Sequence, residues 1–279
     1  MREGGAKKRG TRPGGAEAPA RRAWRAECSG WLALGRAPEA RGLYTVARHG
    51  GFILIRRDPR AGHRLPAMLL VENDGPVDPA DGLELALAML GPVGEPVYLC
   101  LAESVPGPQW EAALADLGFR RETTQLLMTC PLPRTGRPAP GTAQRAPSPR
   151  VQVMPADGEK DRRAALAVVG EGFRDPPDVA AFYNPRGVVR LYLARVGDEP
   201  AGAAALWPFA GVAGIYSVTT RPRFRRQGVA YALLERMLDD AQAAGFELAS
   251  LRTTHHLEPL YARHGFRASG HVHRYRRDP

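Results

Sequence analysis

The sequence predicts an α/β (α+β) protein made of two units of similar size. Strand and helix patterns alternate along most of the chain, a proline-rich stretch at 131–150 divides it, and both parts end in a helix, a Gly-Phe pair and a strand. Pro recurs every few residues in that stretch and no apolar periodicity survives, which is typical of a linker. We therefore expect a tail at 1–20, a first domain at 21–134, a linker at 135–149 and a second domain at 150–279.

In the first unit, short apolar runs predict strands and amphipathic stretches predict helices. The expected elements, in order, are a helix at 21–34, strands at 43–56 and 66–72, a helix at 80–90, a strand at 96–101, a helix at 109–117 and a strand at 123–130.

The second unit repeats the alternation. Its expected elements are a strand at 151–155, helices at 160–172 and 177–183, strands at 188–196, 201–208 and 213–220, a helix at 228–244, a strand at 247–252, a helix at 257–264 and a strand at 269–275. Leu117-Gly118-Phe119-Arg120 in the first unit echoes His264-Gly265-Phe266-Arg267 in the second, which indicates a weak internal repeat.

The helix at 228–244 has the clearest pattern in the chain. Gly245 follows it as a natural C-terminal stop. Apolar residues at helical spacing predict one stripe that faces a sheet: Ala230, Leu233, Leu234, Met237, Leu238 and Ala241.

The composition of the chain argues against several classes of protein. Much of the net charge of +10 lies in residues 1–26, which hold eight Arg or Lys against two Glu, and we interpret residues 1–20 as a disordered, solvated tail. No signature of a nucleic-acid-binding fold accompanies this tail, so we expect no nucleic-acid partner. No apolar run is long enough to span a bilayer. Three widely spaced cysteines fit reduced thiols of a cytoplasmic protein better than disulfides or a metal site.

A basic turn at Val218–Ala230 separates an apolar strand from the amphipathic helix. The first amides of a helix lack intrahelical partners, and the helix dipole is positive at that end. Four arginines surround the turn: Arg221, Arg223, Arg225 and Arg226. The turn is therefore predicted to bind a polyanionic, phosphate-like group.

The stretch Arg225-Arg226-Gln227-Gly228-Val229-Ala230 resembles the acyl-CoA motif of the GNAT superfamily of N-acetyltransferases, Q/R-x-x-G-x-G/A. Downstream, Leu260-Tyr261-Ala262-Arg263-His264-Gly265-Phe266 looks like the L-Y-x-x-x-G-F signature of the same family. The resemblance covers about residues 150–279. It implies two GNAT-like domains, each with a mixed, mostly antiparallel twisted sheet flanked by helices.

The resemblance also implies acetyl-CoA as co-substrate and no metal. Gly228 lets the backbone approach the diphosphate closely because it has no Cβ. The amides of roughly Arg226 to Ala230 would converge on the phosphate oxygens. In the family, two parallel strands splay apart around the cofactor; backbone groups of Val218 and Thr220 would meet the pantetheine arm, and residues 251–253 would form the facing strand end. Tyr261 matches the tyrosine that often protonates the departing CoA thiolate.

The corresponding loop of the first unit is acidic. It contains Glu72, Asp74 and Asp78 and no Arg, so it would repel a diphosphate. We interpret the first unit as a degenerate GNAT-like domain with a structural or acceptor-shaping role.

A general base is missing from the expected place. Many family members carry a Glu on the strand before the loop, but no Asp or Glu occurs from Pro200 to Leu234. Residues of the helix pair that lines the acceptor mouth in the family, and a His pair, are weaker alternatives that a capping or solvated role explains better. These residues are Glu171, Asp175, Asp178, Tyr183, His255 and His256. Trp207 and Phe209 either border the acceptor or pack in the core.

The sequence thus predicts transfer of an acetyl group from acetyl-CoA to a primary amine of a small molecule by direct attack. Two alternatives stay open: a non-catalytic acyl-CoA sensor, and a tandem enzyme like the mycothiol synthases of high-GC bacteria, for which no residue-level match exists. The oligomeric state is open as well, with a homodimer as one option.

Overall fold

The computed structural model describes residues 17–58, 66–72, 75, 78–91, 93–105, 108–133, 151–175 and 177–279. The predicted linker at 135–149 and residues 1–16 of the predicted tail lie outside the described residues. The first helix begins at Pro19, so the last two residues of the predicted tail are helical.

The first half, up to residue 133, alternates helices and strands as expected. Its elements are α1 (Pro19–Arg36), β1 (Tyr44–His49), β2 (Phe52–Arg57), β3 (Ala67–Val71), α2 (Pro79–Leu90), β4 (Val97–Ala102), α3 (Gln109–Asp116) and β5 (Arg120–Pro131).

The second half, from residue 151, follows the same order. Its elements are β6 (Val151–Pro155), α4 (Glu159–Phe173), α5 (Pro177–Tyr183), β7 (Arg190–Val196), β8 (Glu199–Phe209), β9 (Val212–Thr220), α6 (Val229–Ala243), β10 (Leu248–Thr253), α7 (Glu258–Ala262) and β11 (Arg267–Arg277).

Two predicted elements differ from the structure. The single strand expected at 43–56 is a hairpin, β1–β2, because Gly50 and Gly51 take φ values of 55° and 84° and form a tight turn that only such residues accept readily. The helix expected at 257–264 is shorter. A 3-10 turn at His255–Leu257 precedes α7, and the chain leaves the helix before Gly265, whose φ is 91°.

All the strands of the described residues form one sheet, in the order β1-β2-β3-β4-β11-β5-β10-β9-β8-β7-β6. Neighbouring strands are antiparallel except for two parallel pairs, β3–β4 and β9–β10, one in each half. The predicted mixed, mostly antiparallel α/β architecture is confirmed.

The two halves exchange their last strands. β5, from the first half, pairs with β10 of the second, and β11, from the second half, pairs with β4 of the first. β5 and β11 also pair with each other in the middle of the sheet, from Arg267↔Thr129 to Arg276↔Arg120. The two Gly-Phe pairs of the internal repeat come directly before the two exchanged strands, so the repeat has a structural counterpart.

Helix α1 lies between the halves. It packs against β1 and β2 of the first half and against β8, β9 and β10 of the second. Trp24 donates its indole N–H to the Val71 carbonyl at 2.6 Å. Elsewhere on the helix, a Cβ at Gly30 would come within 2.7 Å of the Phe209 ring, so the close approach to β8 requires glycine. Because α1 contacts both halves, buried residues cover most of its circumference.

The predicted apolar stripe of α6 faces the sheet. Leu233, Leu234, Met237 and Leu238 are fully buried, and Ala241 is 1% exposed. Ala230, at the N-terminal end of the stripe, is only half-buried. None of the helices in the described ranges combines the length and apolar content that a membrane span requires.

The strand exchange predicts that a first-half residue stabilises the second-half core. Met128 on β5 is fully buried in the same cluster as Leu251, Tyr261 and Phe266. We expect Met128→Ala to lower the free energy of unfolding by about 2–4 kcal/mol in urea titrations, since it leaves a cavity. The control is Met89→Ala on α2, where Met89 is 42% exposed and the change should stay within about 0.5 kcal/mol. Equal effects of the two substitutions would contradict the packing described.

Candidate active site

A wedge opens between the parallel strands β9 and β10. They pair only at Leu248↔Val212, Ala249↔Ala213 and Ser250↔Gly214. Beyond Gly214, β9 continues alongside β8, and beyond Ser250, β10 continues alongside β5. A bulge in β9 accompanies the divergence: Ser217 has a φ of 54°, and the register with β8 shifts there. The two strands therefore enclose a cleft that is open toward their C-terminal ends.

On the edge of β9 that faces away from β8, backbone groups point into this wedge. Arg221 donates its amide to the Ala201 carbonyl of β8 at 2.9 Å. Because hydrogen-bonding direction alternates along an antiparallel ladder, the amide and carbonyl of Thr220 point away from β8. Val218 lies in the bulge itself, two residues earlier, where the register with β8 shifts. Both residues stand where the sequence predicts backbone contacts to a ligand.

Helix α6 begins at the mouth of the wedge. Its N-cap is Gly228, with a φ of 86° and no capping side chain. The first amide bond of the helix runs from Ala232 to the Gly228 carbonyl at 2.9 Å, so the amides of Val229, Ala230 and Tyr231 precede the intrahelical ladder. Together with the helix dipole, these donors make an anion-binding position.

The local packing explains the small residues here. Val229 is buried, and a Cβ at Gly202 of β8 would come within 2.5 Å of its side chain. Gln227 lies in the turn and donates its side-chain amide to the Arg223 carbonyl at 2.9 Å. The turn is thus stabilised by a hydrogen bond within it, and it packs closely against β8.

Only two of the four predicted arginines remain available for a polyanion. Arg221 makes a bidentate ion pair with Glu171 of α4, at 2.6 and 2.8 Å. Arg223 pairs with Glu199. Arg225 and Arg226 are exposed, and no carboxylate of the described residues pairs with either, although Arg225 donates its Nε to the Thr220 carbonyl at 3.4 Å. Acidic residues distant in sequence therefore neutralise two of the four arginines that surround the turn.

The first half has the same strand–loop–helix unit but a different cap. Asp78 is the N-cap of α2, and its carboxylate accepts the amides of Ala80 at 2.8 Å and Asp81 at 3.2 Å. Glu72 pairs with Arg48 at 2.9 Å. Asp74 lies outside the described residues. In this half a carboxylate already occupies the helix N-terminus that α6 leaves open.

Tyr261 lies on α7, next to the C-terminal end of β10. It is 7% exposed, and burial raises the pKa of its hydroxyl, while a hydrogen bond with Thr253 lowers that pKa by a smaller amount. Thr253 is the last residue of β10, so the phenol is close to the strand end that was predicted to face β9.

The weaker base candidates have other partners or surroundings. Glu171 holds Arg221, as described. Burial raises the pKa of the Asp175 carboxyl and of the Tyr183 hydroxyl, and Tyr183 packs edge-on against Trp31 with ring centroids 5.7 Å apart. The side chain of Asp178 lies outside the described residues. His255 and His256 are exposed in the 3-10 turn before α7, where His256 bonds to the Thr254 hydroxyl.

Trp207 and Phe209 belong to an aromatic cluster between α1 and the sheet. Trp207 is 4% exposed and packs against Tyr216 with centroids 4.3 Å apart. Trp31 of α1 meets it edge-on at 6.1 Å. Core packing therefore accounts for Trp207, on the face of the sheet opposite α6.

One carboxylate near the wedge was missed by sequence reasoning. Glu27 of α1 is 3% exposed and contacts Tyr216 of β9 and Arg252 of β10. It comes from the first half, about 190 residues before the strand that it reaches. The only sequence signal was an acidic residue within an otherwise apolar face of α1, and that pattern carries no information about its partner.

A sizeable cavity also lies away from the wedge. One of about 330 Å³ is lined by the start of β7, residues after β6 and Pro208, at the opposite end of the strands from the basic turn. No group of His, Cys, Asp or Glu among the described residues could hold a metal ion.

Comparison with known proteins agrees with this geometry. Residues 162–266 match the model of the acetyltransferase (GNAT) family. A GCN5-related N-acetyltransferase from Kribbella flavida superposes with a TM-score of 0.67 at 20% identity, over 95% of this chain and 97% of its own. A second, from Sphaerobacter thermophilus, has a TM-score of 0.58 at 19% identity, over 93% and 94%.

A functionally unknown conserved protein from Staphylococcus epidermidis also superposes, with a TM-score of 0.56 at 11% identity, over 83% and 92%. No curated protein has a significantly similar sequence. At these identities the likeness establishes the fold, and it extends through both halves. Residues 162–266, the part of the chain that matches the GNAT family model, contain the wedge and the open N-terminus of α6.

Proposed function

We propose that the protein transfers an acetyl group from acetyl-CoA to a primary amine of a small molecule. The observation that carries this proposal is the uncapped N-terminus of α6 at Gly228, beside the open edge of β9. A GNAT-family domain supports acyl transfer in general. The donor, the acceptor and the direct attack are our inference.

The residues present fit acetyl-CoA. Its diphosphate needs converging amides and positive charge, which Gly228–Ala230, Arg225 and Arg226 supply. Its pantetheine arm carries two amides, which can bond to the strand-edge groups of Val218 and Thr220. Both sets of donors lie on one side of the wedge, so one extended molecule can reach them together.

Tyr261 is proposed to assist the departing thiolate. Its raised pKa keeps the phenol protonated at neutral pH. A thiol has a pKa near 8.5, so complete proton transfer from the phenol is uphill, and burial increases the difference. The hydroxyl therefore stabilises the sulfur by a hydrogen bond, and solvent completes the protonation.

Cys28, Cys100 and Cys130 are buried and form no disulfide. Burial raises the pKa of the Cys28 and Cys100 thiols, which disfavours the thiolate. We accordingly propose a direct-attack reaction without a cysteine intermediate, in the reducing environment of the cytoplasm.

The activity is tested by mixing the full chain with acetyl-CoA and a panel of small primary amines, and following release of the free CoA thiol. We expect turnover with at least one amine. Binding of acetyl-CoA without turnover of any amine would favour the sensor alternative, and absence of binding would overturn the proposal altogether.

Replacing Tyr261 separates catalysis from binding. We expect Tyr261→Phe to lower kcat about tenfold to hundredfold, because the departing sulfur loses its hydrogen-bond donor, with little change in the Kd of acetyl-CoA. Tyr98→Phe on β4, in the other half, is the control and should leave kcat unchanged. An unchanged kcat in the Tyr261 variant would remove this residue from the mechanism.

The two free arginines should contribute to binding of the diphosphate. We expect the double variant Arg225→Ala/Arg226→Ala to weaken acetyl-CoA binding about tenfold in calorimetry, and to reduce its salt dependence, since two exposed charge contacts are lost. Arg36→Ala/Arg41→Ala removes the same charge from exposed positions in the first half. If both doubles weaken binding equally, the effect comes from net charge and not from the turn.

A further inference from the structure

The wedge begins where β9 and β10 stop pairing, after Gly214 and Ser250. Tyr216 and Arg252 are each two residues beyond the last pair, Gly214 and Ser250, and side chains two residues apart on a strand lie on the same face. Both reach the carboxylate of Glu27 on α1. The Tyr216 hydroxyl donates to Glu27 Oε2 at 3.1 Å, and Arg252 Nη2 lies 2.8 Å from Glu27 Oε1. One carboxylate from the first half thus bridges the two diverging strands of the second.

The side chains become less exposed to solvent from the wedge toward the Glu27 carboxylate. Tyr216 is partly exposed and the Arg252 side chain is 19% exposed, whereas the Glu27 side chain is 2% exposed. A cavity of about 10 Å³ lies at the same point, with Glu27, Trp207, Tyr216 and Ser250 in its lining. Trp207 Nε1 is buried there without a hydrogen bond from the described residues, and Glu27 Oε1 is buried in its ion pair with Arg252. A small polar group at this place would meet an acceptor and a donor.

We propose that Glu27 of the first half is the proton acceptor of the acyl-transfer site in the second half, reached through the Tyr216 hydroxyl. This inference rests on the proposed acetyltransferase function and deepens it. It assigns to α1 the chemical role that β9 and the basic turn cannot fill, because no Asp or Glu occurs from Pro200 to Leu234.

The step balances as follows. The substrate ammonium gives one proton to the Tyr216 oxygen as the phenolic proton passes to Glu27, which leaves a neutral amine and a protonated carboxyl. The amine nitrogen then forms a bond to the thioester carbonyl carbon, and the carbon–sulfur bond breaks with its electron pair on sulfur. The second nitrogen proton ends on the CoA thiolate, directly or through solvent. Glu27 releases its proton to solvent, again through Tyr216.

The groups around Glu27 are compatible with this role. Tyr216 remains a donor at neutral pH, because burial and the Glu27 charge raise the pKa of its phenol. Arg252 stays cationic, since Glu27 and the neighbouring Cys100 and Tyr216 raise its pKa despite burial. The titratable and charged groups that interact with Glu27 are Cys28 on α1, Cys100 on β4, Tyr216 on β9 and Arg252 on β10, and Arg48 and Glu72 act on the neighbouring Cys28.

The test uses Tyr216→Phe in the full chain, which removes the relay but keeps the Glu27–Arg252 ion pair. Tyr192→Phe is the matched control, because the Tyr192 hydroxyl donates to the Asp240 carboxylate at 2.9 Å, away from the wedge. We expect Tyr216→Phe to lower kcat about 100-fold and to leave the Kd of acetyl-CoA unchanged. The fall in kcat/KM at low pH that comes from a group of the enzyme, and not of the substrate, should disappear in this variant. The control should keep both kcat and the pH profile.

Glu27 itself is tested by a pair of variants. Glu27→Gln leaves Arg252 buried without a counter-charge and is expected to destabilise the fold, so acetyl-CoA binding is measured first. Glu27→Asp keeps the charge and should recover part of the lost kcat together with a pH-dependent acidic limb. If Glu27→Gln does not fold, Tyr216→Phe decides.

The outcomes separate the two proposals. An active wild-type protein whose Tyr216→Phe variant behaves like Tyr192→Phe overturns the role of Glu27 and leaves the acetyltransferase function intact. A wild-type protein that binds acetyl-CoA but turns over no amine overturns both.

Discussion

The wedge between β9 and β10 depends on the exchange of β5 and β11 between the two halves. β10, one wall of the wedge, has β9 beside it for only three residues, and its other edge is paired along its length by β5 from the first half. Without that strand, β10 would present unpaired amides and carbonyls on both sides near its C-terminal end. β10 can remain unpaired on the side of the wedge because β5, from the first half, pairs with its other edge.

The two strand–loop–helix units of this sheet show how a single capping residue changes the chemistry of a helix N-terminus. Asp78 satisfies two amides of α2 with a carboxylate, whereas Gly228 leaves the corresponding amides of α6 without a side-chain cap. A cap of this kind stabilises a helix by about 1 kcal/mol. The second half does without that stabilisation, and the open amides become the feature on which the proposed cofactor binding depends.

Helix α1 links the halves through its packing and through one buried charge. Burying an ion pair such as Glu27–Arg252 has a large desolvation cost, and an apolar pair of similar size is often equally stable or more so. A carboxylate at this place is therefore poorly explained by stability alone. Its contacts with both walls of the wedge suggest instead that the first half contributes to the site as well as to the fold.

The sequence by itself determined the class, the element order and the basic turn, because these follow from local periodicity and from residues adjacent in the chain. The α6 stripe and the motif at 225–230 are examples. Even the hairpin at Gly50-Gly51 could have been predicted from local signals. The tertiary structure alone decided which arginines of the turn are free, since Glu171 and Glu199 neutralise Arg221 and Arg223 from other elements. It alone decided the strand exchange and the position of Glu27, because pairing partners far apart in sequence leave no periodic trace in either segment.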